Sequence, residues 1–507
     1  MNLLPWLLFS VTAGCLISAC SHTPEQISSV SPTAAELPSE FSASEVVGSY
    51  EPLEWWKAFD DPVLDQVIAA VLASNFDLAE AVARVDQARA RERFAKSSAI
   101  PSLQPTVLVS EFDIPISSGI GAQLEGLGVI SDENKTLFPD RLGLTTYNIG
   151  LDFSYELDFW GRNRNDTLAA GAELMASESD YLTARMGVLA ETVRTYLEMV
   201  NLRHQHGLAG EIVEILLQRE LLAESRYDRG LTDLRDLHAV RQSLREAQAE
   251  LPQIEALLAD AEGRLWILAG GYRPDLADML SNSRIPSIVF KPVPVGIPAD
   301  LMVQRPDILA AMQRLEAARY SVGARRADRL PRLSLQGSIG LRSTDSSMWF
   351  DSEQWFRTFS MNLLGPVFQG SRIRSNIALA EARLNEAVNA FGRSVVTAVN
   401  EVEAALVGLQ ASRQRHSLLV SLADEAEAES ELEEQRYLSG VGDYEAFLAG
   451  LQIQMGAESA LAAAGRDLGY ARLALHRALG GAWTSEDRET LQPQPHSLLL
   501  SSRSPTE

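Results

Sequence analysis

The chain has 507 residues, 46% of them apolar and 22% charged, enough for a large core and unlike a disordered composition. Its 68 acidic against 44 basic residues give a formal net charge of -24. Such a surface repels phosphate backbones and argues against a nucleic-acid partner. Both cysteines, Cys15 and Cys20, lie near the N-terminus, so the body of the chain has no material for an intrachain disulfide or a cysteine metal site.

Residues 1–19 form a short apolar run ending in small residues, the pattern of a cleaved export signal rather than a membrane helix. No Lys or Arg precedes Lys57, so only the amino terminus supplies positive charge there. Ile17-Ser18-Ala19-Cys20 has the form of a bacterial lipobox, which makes Cys20 the lipid attachment point and residues 20–50 a lipidated extension. Cys15, after Thr12-Ala13-Gly14, fits less well, and an ordinary signal with an incidental cysteine is the alternative. No later stretch offers the roughly 18–20 uninterrupted apolar residues of a membrane helix. Further membrane contact then falls to acyl chains or β-strands.

The body of the chain repeats itself. Residues 77–103 align without a gap on 307–333 at an offset of 230, with seven of 27 positions identical, among them Asp77/Asp307, Arg84/Arg314, Arg89/Arg319 and Pro101/Pro331. Farther on the offset is 210: Arg162 and Arg164 meet Arg372 and Arg374, and Gly270-Gly271 meets Gly480-Gly481. This is a tandem duplication, read as repeat one over 51–271 and repeat two over 299–483. A proline-rich linker of extended character spans 272–298, and a tail spans 484–507. The change of offset places a longer loop in repeat one, rich in Gly, Ser, Asp and Asn from Ser117 to Asp140.

In each repeat a helix (77–99 in the first) precedes a proline, after which the period becomes two. Tyr147, Ile149, Leu151, Phe153, Tyr155, Leu157 and Phe159 alternate with polar residues. So do Leu333, Leu335, Ile339 and Leu341, and then Phe359, Met361 and Leu363. Alternation puts the apolar side chains on one strand face; residues 104–113 complete two hairpins. A soluble sheet with one wet face shows the same pattern, but aromatic-rich strands of about ten residues on an exported lipoprotein suit a membrane barrel. Tyr147, Ile149, Leu151, Phe153 and Tyr155 are then its lipid-facing row. Four strands cannot close a barrel that needs about eight, so a barrel requires several chains.

Each hairpin leads into a long stretch free of proline, 140–251 and 367–492. Leu182, Met186, Leu189, Val193, Tyr196 and Val200 follow heptad spacing, as do Val388, Phe391, Val395, Val399, Val402, Leu406 and Leu409. A helix from about Arg162 to Tyr227 is roughly 100 Å long, which points to a coiled-coil rod or tube. Arg226-Tyr227 with Gly230, and Arg436-Tyr437 with Gly440, interrupt the pattern at matching points where glycine turns a helix back.

These residues resemble the TolC-like outer-membrane factors, or outer membrane efflux proteins, in the lipoprotein branch of OprM- and NodT-type proteins. The resemblance runs from Glu54-Trp55-Trp56 to about Gly481 and rests on Tyr155-Glu156-Leu157-Asp158-Phe159-Trp160-Gly161-Arg162, Gln304-Arg305-Pro306-Asp307-Ile308 and Gly365-Pro366-Val367-Phe368-Gln369-Gly370. Ser21 after Cys20 resembles the signal for outer-membrane sorting. The family implies a mainly α protomer with a β-barrel part: a homotrimer whose twelve-stranded barrel continues into a periplasmic α-helical tunnel. It implies a periplasmic adaptor and an inner-membrane pump or exporter as partners, and outer-membrane lipid around the barrel. Passive efflux of small molecules is the implied function, with type I protein secretion and a non-conducting coiled-coil spacer as alternatives.

Related channels close near their helix tips. The matching positions are Asp233, Arg235 and Asp236 in repeat one and Asp443 and Tyr444 in repeat two, read either as a gate or as plain surface turns; Ala449 stands where relatives often carry aspartate. The acidic run from Asp424 to Glu434 is either a solvated helix face or a lumen ring. No HExxH, GxSxG or Walker-type loop is present, and Gly119-Ile120-Gly121 lacks a third glycine. No catalysis, cofactor or metal is expected.

Overall fold

The computed structural model describes residues 54–115, 141–272, 274–281, 293–296 and 298–481, with single positions at 38, 41 and 283. Cys15, Cys20, the loop of 117–140 and the C-terminal tail lie outside the described residues. Two compact units are present: one of residues 89–172 and 316–385, the other of the remaining described segments. Each unit is built from pieces of both repeats.

The elements come in matched pairs. A short turn at Trp55–Phe59 and helix α1 (Pro62–Ser74) precede helix α2 (Phe76–Ser97), strand β1 (Ser102–Pro115) and strand β2 (Arg141–Leu157). Then follow α3 (Arg162–Asp228) and α4 (Leu234–Leu268). After α5 (Pro274–Ser281), repeat two gives α6 (Pro306–Ala327), β3 (Arg332–Ser343), β4 (Trp355–Leu364), α7 (Arg372–Leu438) and α8 (Tyr444–Ala478). Helices α2 and α6 have 22 residues each, α3 and α7 have 67 each, and α4 and α8 have 35 each.

Two expectations change. The strap of 272–298 is not extended throughout, because Pro274–Ser281 is helical; proline suits a first helical position, where its missing N–H costs nothing. Phe159 falls outside β2, in the turn after it, and is exposed. Residues 62–97 contain an 18-residue window with mean hydropathy 1.3, long and apolar enough by length and composition to cross a membrane. That stretch is two helices broken at Asn75, and Leu64, Val67, Ile68 and Val71 are buried in a core. Helix α4 also runs on through Pro252, which leaves the Gln248 carbonyl without its usual donor.

In the unit holding the sheet, the strand order is β1-β2-β3-β4, all antiparallel. Repeat one's second strand thus pairs with repeat two's first. Gly150 lies opposite Gly340, and a Cβ on Gly340 would strike the Ile149 carbonyl oxygen, so this crossing is reserved for glycine. Beside the sheet, α6 packs on the start of α3. The Trp160 indole donates to the Pro331 carbonyl at 2.7 Å, and Arg325 forks onto Asp166 at 2.6 and 2.9 Å.

In the other unit the heptad residues are buried except the half-buried Val388, with Leu189, Val193, Tyr196 and Val402 all fully so. Burial, not helix propensity, holds such long helices. The Tyr196 hydroxyl donates to Asp61 at 2.6 Å, and Asp61 also caps α1 through the Val63 amide. Each repeat is closed by one equivalent bond: Asn75 Nδ2 donates to the Leu268 carbonyl at 2.9 Å, and Arg305 Nη1 to the Ala478 carbonyl at 2.8 Å. These partners are related by the sequence offsets. Arg305 is buried; burial opposes its charge, but Asp307 and Glu401, each 2.7 Å away, hold its pKa above the ordinary value.

His476 stacks on Trp55 at 5.3 Å and is 5% exposed. Burial, with the nearby Arg472 charge, lowers its pKa from 6.5 to about 3. The unfolded chain therefore takes up a proton near pH 6.5 that the folded chain refuses until about pH 3, so this group costs stability progressively as pH falls through that window. Replacing His476 with Gln is expected to remove that share of acid sensitivity. Denaturant midpoints measured between pH 7 and 4 would show a shallower decline than in the parent.

Candidate functional site

Two surfaces carry the chemistry a conduit needs: the sheet, in one unit, and the helix tips, in the other. On the sheet, odd-numbered positions share one face. The registers line up Val107, Ile149 and Leu341, then Pro105, Leu151 and Ile339, then Leu103 and Phe153, while Tyr155 and Leu157 meet Leu335 and Leu333. Across β3 and β4, Leu335 meets Met361, and Leu333 meets Leu363. Tyr147, Ile149, Leu151, Phe153 and Tyr155 all lie on this apolar face. Leu103, Val107, Leu151, Ile339, Phe359, Met361 and Leu363 are exposed.

The even-numbered face is polar and internally bonded. Thr106 and Ser338 both donate to the Asp152 carboxylate from the two flanking strands. Arg342 Nε donates to Asn148 Oδ1 at 2.8 Å, with its guanidinium 4.4 Å from the Phe356 ring. Glu156 meets Arg162 at 3.4 Å where the strand gives way to helix. Hydroxyls and amides that already bond each other leave a wettable face whose polar groups are largely satisfied by one another.

Strand β2 begins at Arg141, six residues before the alternation is visible in sequence, because the phase reverses there. Phe112 and Leu144 share parity with Asp152, while Glu111, Asp113 and Arg141 take the apolar parity, and Arg141 bonds Asp113 at 2.9 Å. The apolar band therefore ends at Val109 and Tyr147, and charge takes over.

At the tips, Gly230 and Gly440 have φ of 67° and 78°, a left-handed geometry that glycine adopts without strain. The bonds are the same in both repeats: Gly230 N–H to the Tyr227 carbonyl and Leu231 N–H to Arg226, then Gly440 N–H to Tyr437 and Val441 N–H to Arg436. Asp233 and Asp443 cap the returning helices. Asp233 accepts from the amides of Arg235 and Asp236, and Asp443 from that of Ala446 at 2.7 Å. Asp236 accepts from the Thr232 hydroxyl. Asp233, Arg235, Asp236 and Asp443 are exposed; Tyr444 is half-buried, and burial raises its pKa.

A clasp that spacing alone did not reveal joins the two tips. Arg226 Nη1 donates to the Tyr437 hydroxyl at 2.5 Å and lies 5.1 Å from its ring centroid. Arg219 sits 4.3 Å from the Phe447 ring and 5.9 Å from that of Tyr437, and reaches Glu434 at 3.6 Å. Tyr437, Tyr444 and Phe447 pack on one another with centroids 5.5 to 6.4 Å apart. Repeat one supplies the cations and repeat two the rings. In the acidic run Asp424, Glu425, Glu427, Glu429, Glu431 and Glu434 are exposed on this chain, and Glu433 bonds Arg436.

Residues 67–271 and 297–481 match the family model described as outer membrane efflux protein. The chain belongs to the outer membrane efflux protein family. Its sequence is 29% identical to the pyoverdine export outer membrane protein OpmQ of Pseudomonas putida, over 93% of this chain and 96% of that one. It is 29% identical to outer membrane protein OprJ of Pseudomonas aeruginosa, over 94% and 95%. Among solved structures it superposes on the outer-membrane channel OprN with a TM-score of 0.79 and 27% identity, over 90% of this chain and 99% of that one. This outer membrane efflux protein is therefore an outer-membrane channel protein, mainly α with a four-stranded β part, and its relatives are channels rather than enzymes.

The clasp is expected to be worth about 1 kcal/mol across the Arg219 and Phe447 pair. A double-mutant cycle of Arg219→Ala and Phe447→Leu in chemical denaturation would measure it, and additive effects would show the rings and cations to be uncoupled.

Proposed function

We propose that this chain is the outer-membrane duct of a tripartite efflux system. Three copies contribute four strands each to a twelve-stranded barrel, and their paired long helices form the periplasmic tunnel. The single observation that carries this reading is the two-faced sheet, apolar on the odd positions and hydrogen-bonded polar on the even ones. Closed on itself, such a sheet turns its apolar face to lipid and its Asp152, Ser154 and Glu156 side to water. Solutes then cross by diffusion, with no bond chemistry.

A periplasmic adaptor and an inner-membrane pump supply the solute and the energy. The cargo is small molecules, as the export of pyoverdine by a relative suggests. Residues 1–19 act as the export signal, Cys20 carries the lipid, 51–271 and 299–483 are the two repeats, 272–298 links them, and 484–507 is the tail. The tips form the periplasmic gate. Within it Asp233 and Asp443 hold the turns through their capping bonds, while Asp236, Arg235 and the clasp of Arg226 with Tyr437 are the parts free to rearrange. Three chains each carrying -24 make an acidic conduit that favours cations.

Conductance of the purified, lipidated protein in planar bilayers tests this directly. The parent is expected to give cation-selective currents; a pure oligomer that never conducts would refute the reading. Asp152→Asn should move the reversal potential in a salt gradient towards zero. Arg226→Ala combined with Tyr437→Phe should raise conductance by loosening the tip, whereas an unchanged conductance in Asp236→Ala would remove that residue from the gate.

A further inference from the structure

The duplication supplies an internal comparison where each hairpin enters its long helix. Positions at the end of α2 correspond to α6 at an offset of 230, and those of β2 and α3 to β4 and α7 at 210. The strand registers agree, since Ser102 opposite Ser154 becomes Arg332 opposite Leu364. In repeat one the chain's own carboxylates occupy this junction. Asp158 accepts from the Arg164 amide at 2.7 Å in the first turn of α3, Glu156 meets the Arg162 guanidinium at 3.4 Å, and Asp166 follows one turn on.

In repeat two all three carboxylates are gone, while the groups they served remain. Glu156, Asp158 and Asp166 become Pro366, Phe368 and Asn376, but Arg162 and Arg164 persist as Arg372 and Arg374. Among the described residues no side chain accepts from the Arg374 amide, and Arg372 has no ion-pair partner. Cations are also added: Ala95 and Ser102 become Arg325 and Arg332, with Asp328 in place of Ser98. Over these eight positions repeat one has two cations and three acids, and repeat two has four cations and one acid.

The added and the orphaned groups surround one recess of about 410 Å³, lined by Arg325, Asp328, Arg332, Gln369, Arg372 and Asn376. Asp328 is shared between Arg325 at 3.3 Å and Arg332 at 2.9 Å, and Asp166 holds Arg325 from α3. Arg372 is left over, beside the amide donors of Gln369 and Asn376. The first turn of α7 adds its own positive end. Arg332 and Leu364 lie opposite each other at even positions, the parity of Asp152 and Glu156.

We propose that this recess binds an oxyanion, a phosphate or carboxylate group carried by a solute in the duct. The external group takes the place that Asp158 and Glu156 fill in repeat one, between the first amides of α7 and the Arg372 guanidinium, with Arg332 on the strand side. Charge-assisted bonds from a planar guanidinium suit such a group. In a chain of net charge -24, the recess is a local basic station on an otherwise acidic path. The placement in the duct rests on the barrel reading above, which turns the even face to water.

Equilibrium binding of radiolabelled pyrophosphate to the lipidated protein in neutral detergent tests the site without relying on conduction. The parent is expected to bind about one pyrophosphate per chain, and Arg372→Gln to weaken binding roughly tenfold. Phe368→Asp and Pro366→Glu restore repeat one's carboxylates at exposed or partly exposed positions and should weaken it similarly. No binding by the parent, or parent-like binding by all three variants, overturns the site.

A lipid headgroup offers the same chemistry, so competition separates the sources. Inorganic phosphate is expected to displace the probe; displacement by phosphatidylglycerol but not by phosphate overturns the assignment to a solute. In planar bilayers pyrophosphate should lower the parent's current and, at the same concentration, leave that of Arg372→Gln nearly unchanged. Binding that never alters the current overturns the location in the duct. A parent that binds pyrophosphate but carries no current overturns the duct reading and that location together, while the oxyanion site itself stands.

Discussion

Hydrocarbon offers no hydrogen bonds, and this fact governs the whole chain. A buried backbone amide or carbonyl without a partner costs several kcal/mol in lipid, so a sheet of four strands with two free edges cannot reside there alone. The apolar odd face of the sheet calls for lipid, while its unpaired edges forbid it in a single copy. The long helices pose the same problem in water, since their exposed apolar residues, among them Leu379, Val396, Val407 and Leu432, also lack a cover in the isolated chain.

Duplication answers part of this demand within one chain. The junction between the repeats has a strand pair, a helix packed on a helix start, and the Arg325–Asp166 ion pair. The closing bonds show how loosely the duplication constrains chemistry while preserving geometry. An amide at Asn75 and a guanidinium at Arg305 do the same work on equivalent carbonyls. The guanidinium must bring Asp307 and Glu401 with it to be tolerated at that depth.

Much of this was legible in the sequence, and each part that was not has its own physical cause. Period-two runs such as Leu333 to Leu341 and heptads such as Val395 to Leu409 announce themselves because one face is apolar throughout. The first six residues of β2 were hidden because the polarity of their faces reverses, so Leu144 and Arg141 carry no continuing pattern. The helix at Pro274–Ser281 was obscured by prolines that suit a helix start as well as an extended strap. Asp233 and Asp443 stood out as acidic turn residues, but it is the fold that sets their carboxylates on backbone amides. Arg219 carried no signal at all: it is one arginine among many on a long helix, and its meeting with Phe447 depends on how two separate hairpins lie together.

The clasp at the tips has a further consequence. Its counterparts, moved along the duplication, are Glu429 for Arg219, Arg436 for Arg226, Tyr227 for Tyr437, Leu234 for Tyr444 and Leu237 for Phe447. Where repeat one meets repeat two within a chain, two cations lie over two rings, Tyr437 and Phe447, with Tyr444 packed beside them; were repeat two of one copy to face repeat one of the next in the proposed oligomer, one cation and one ring would remain. A ring of such chains would have seams of alternating stiffness. Any outward pull spreads first at the weak ones, so the mouth would widen as a three-cornered iris rather than as a circle.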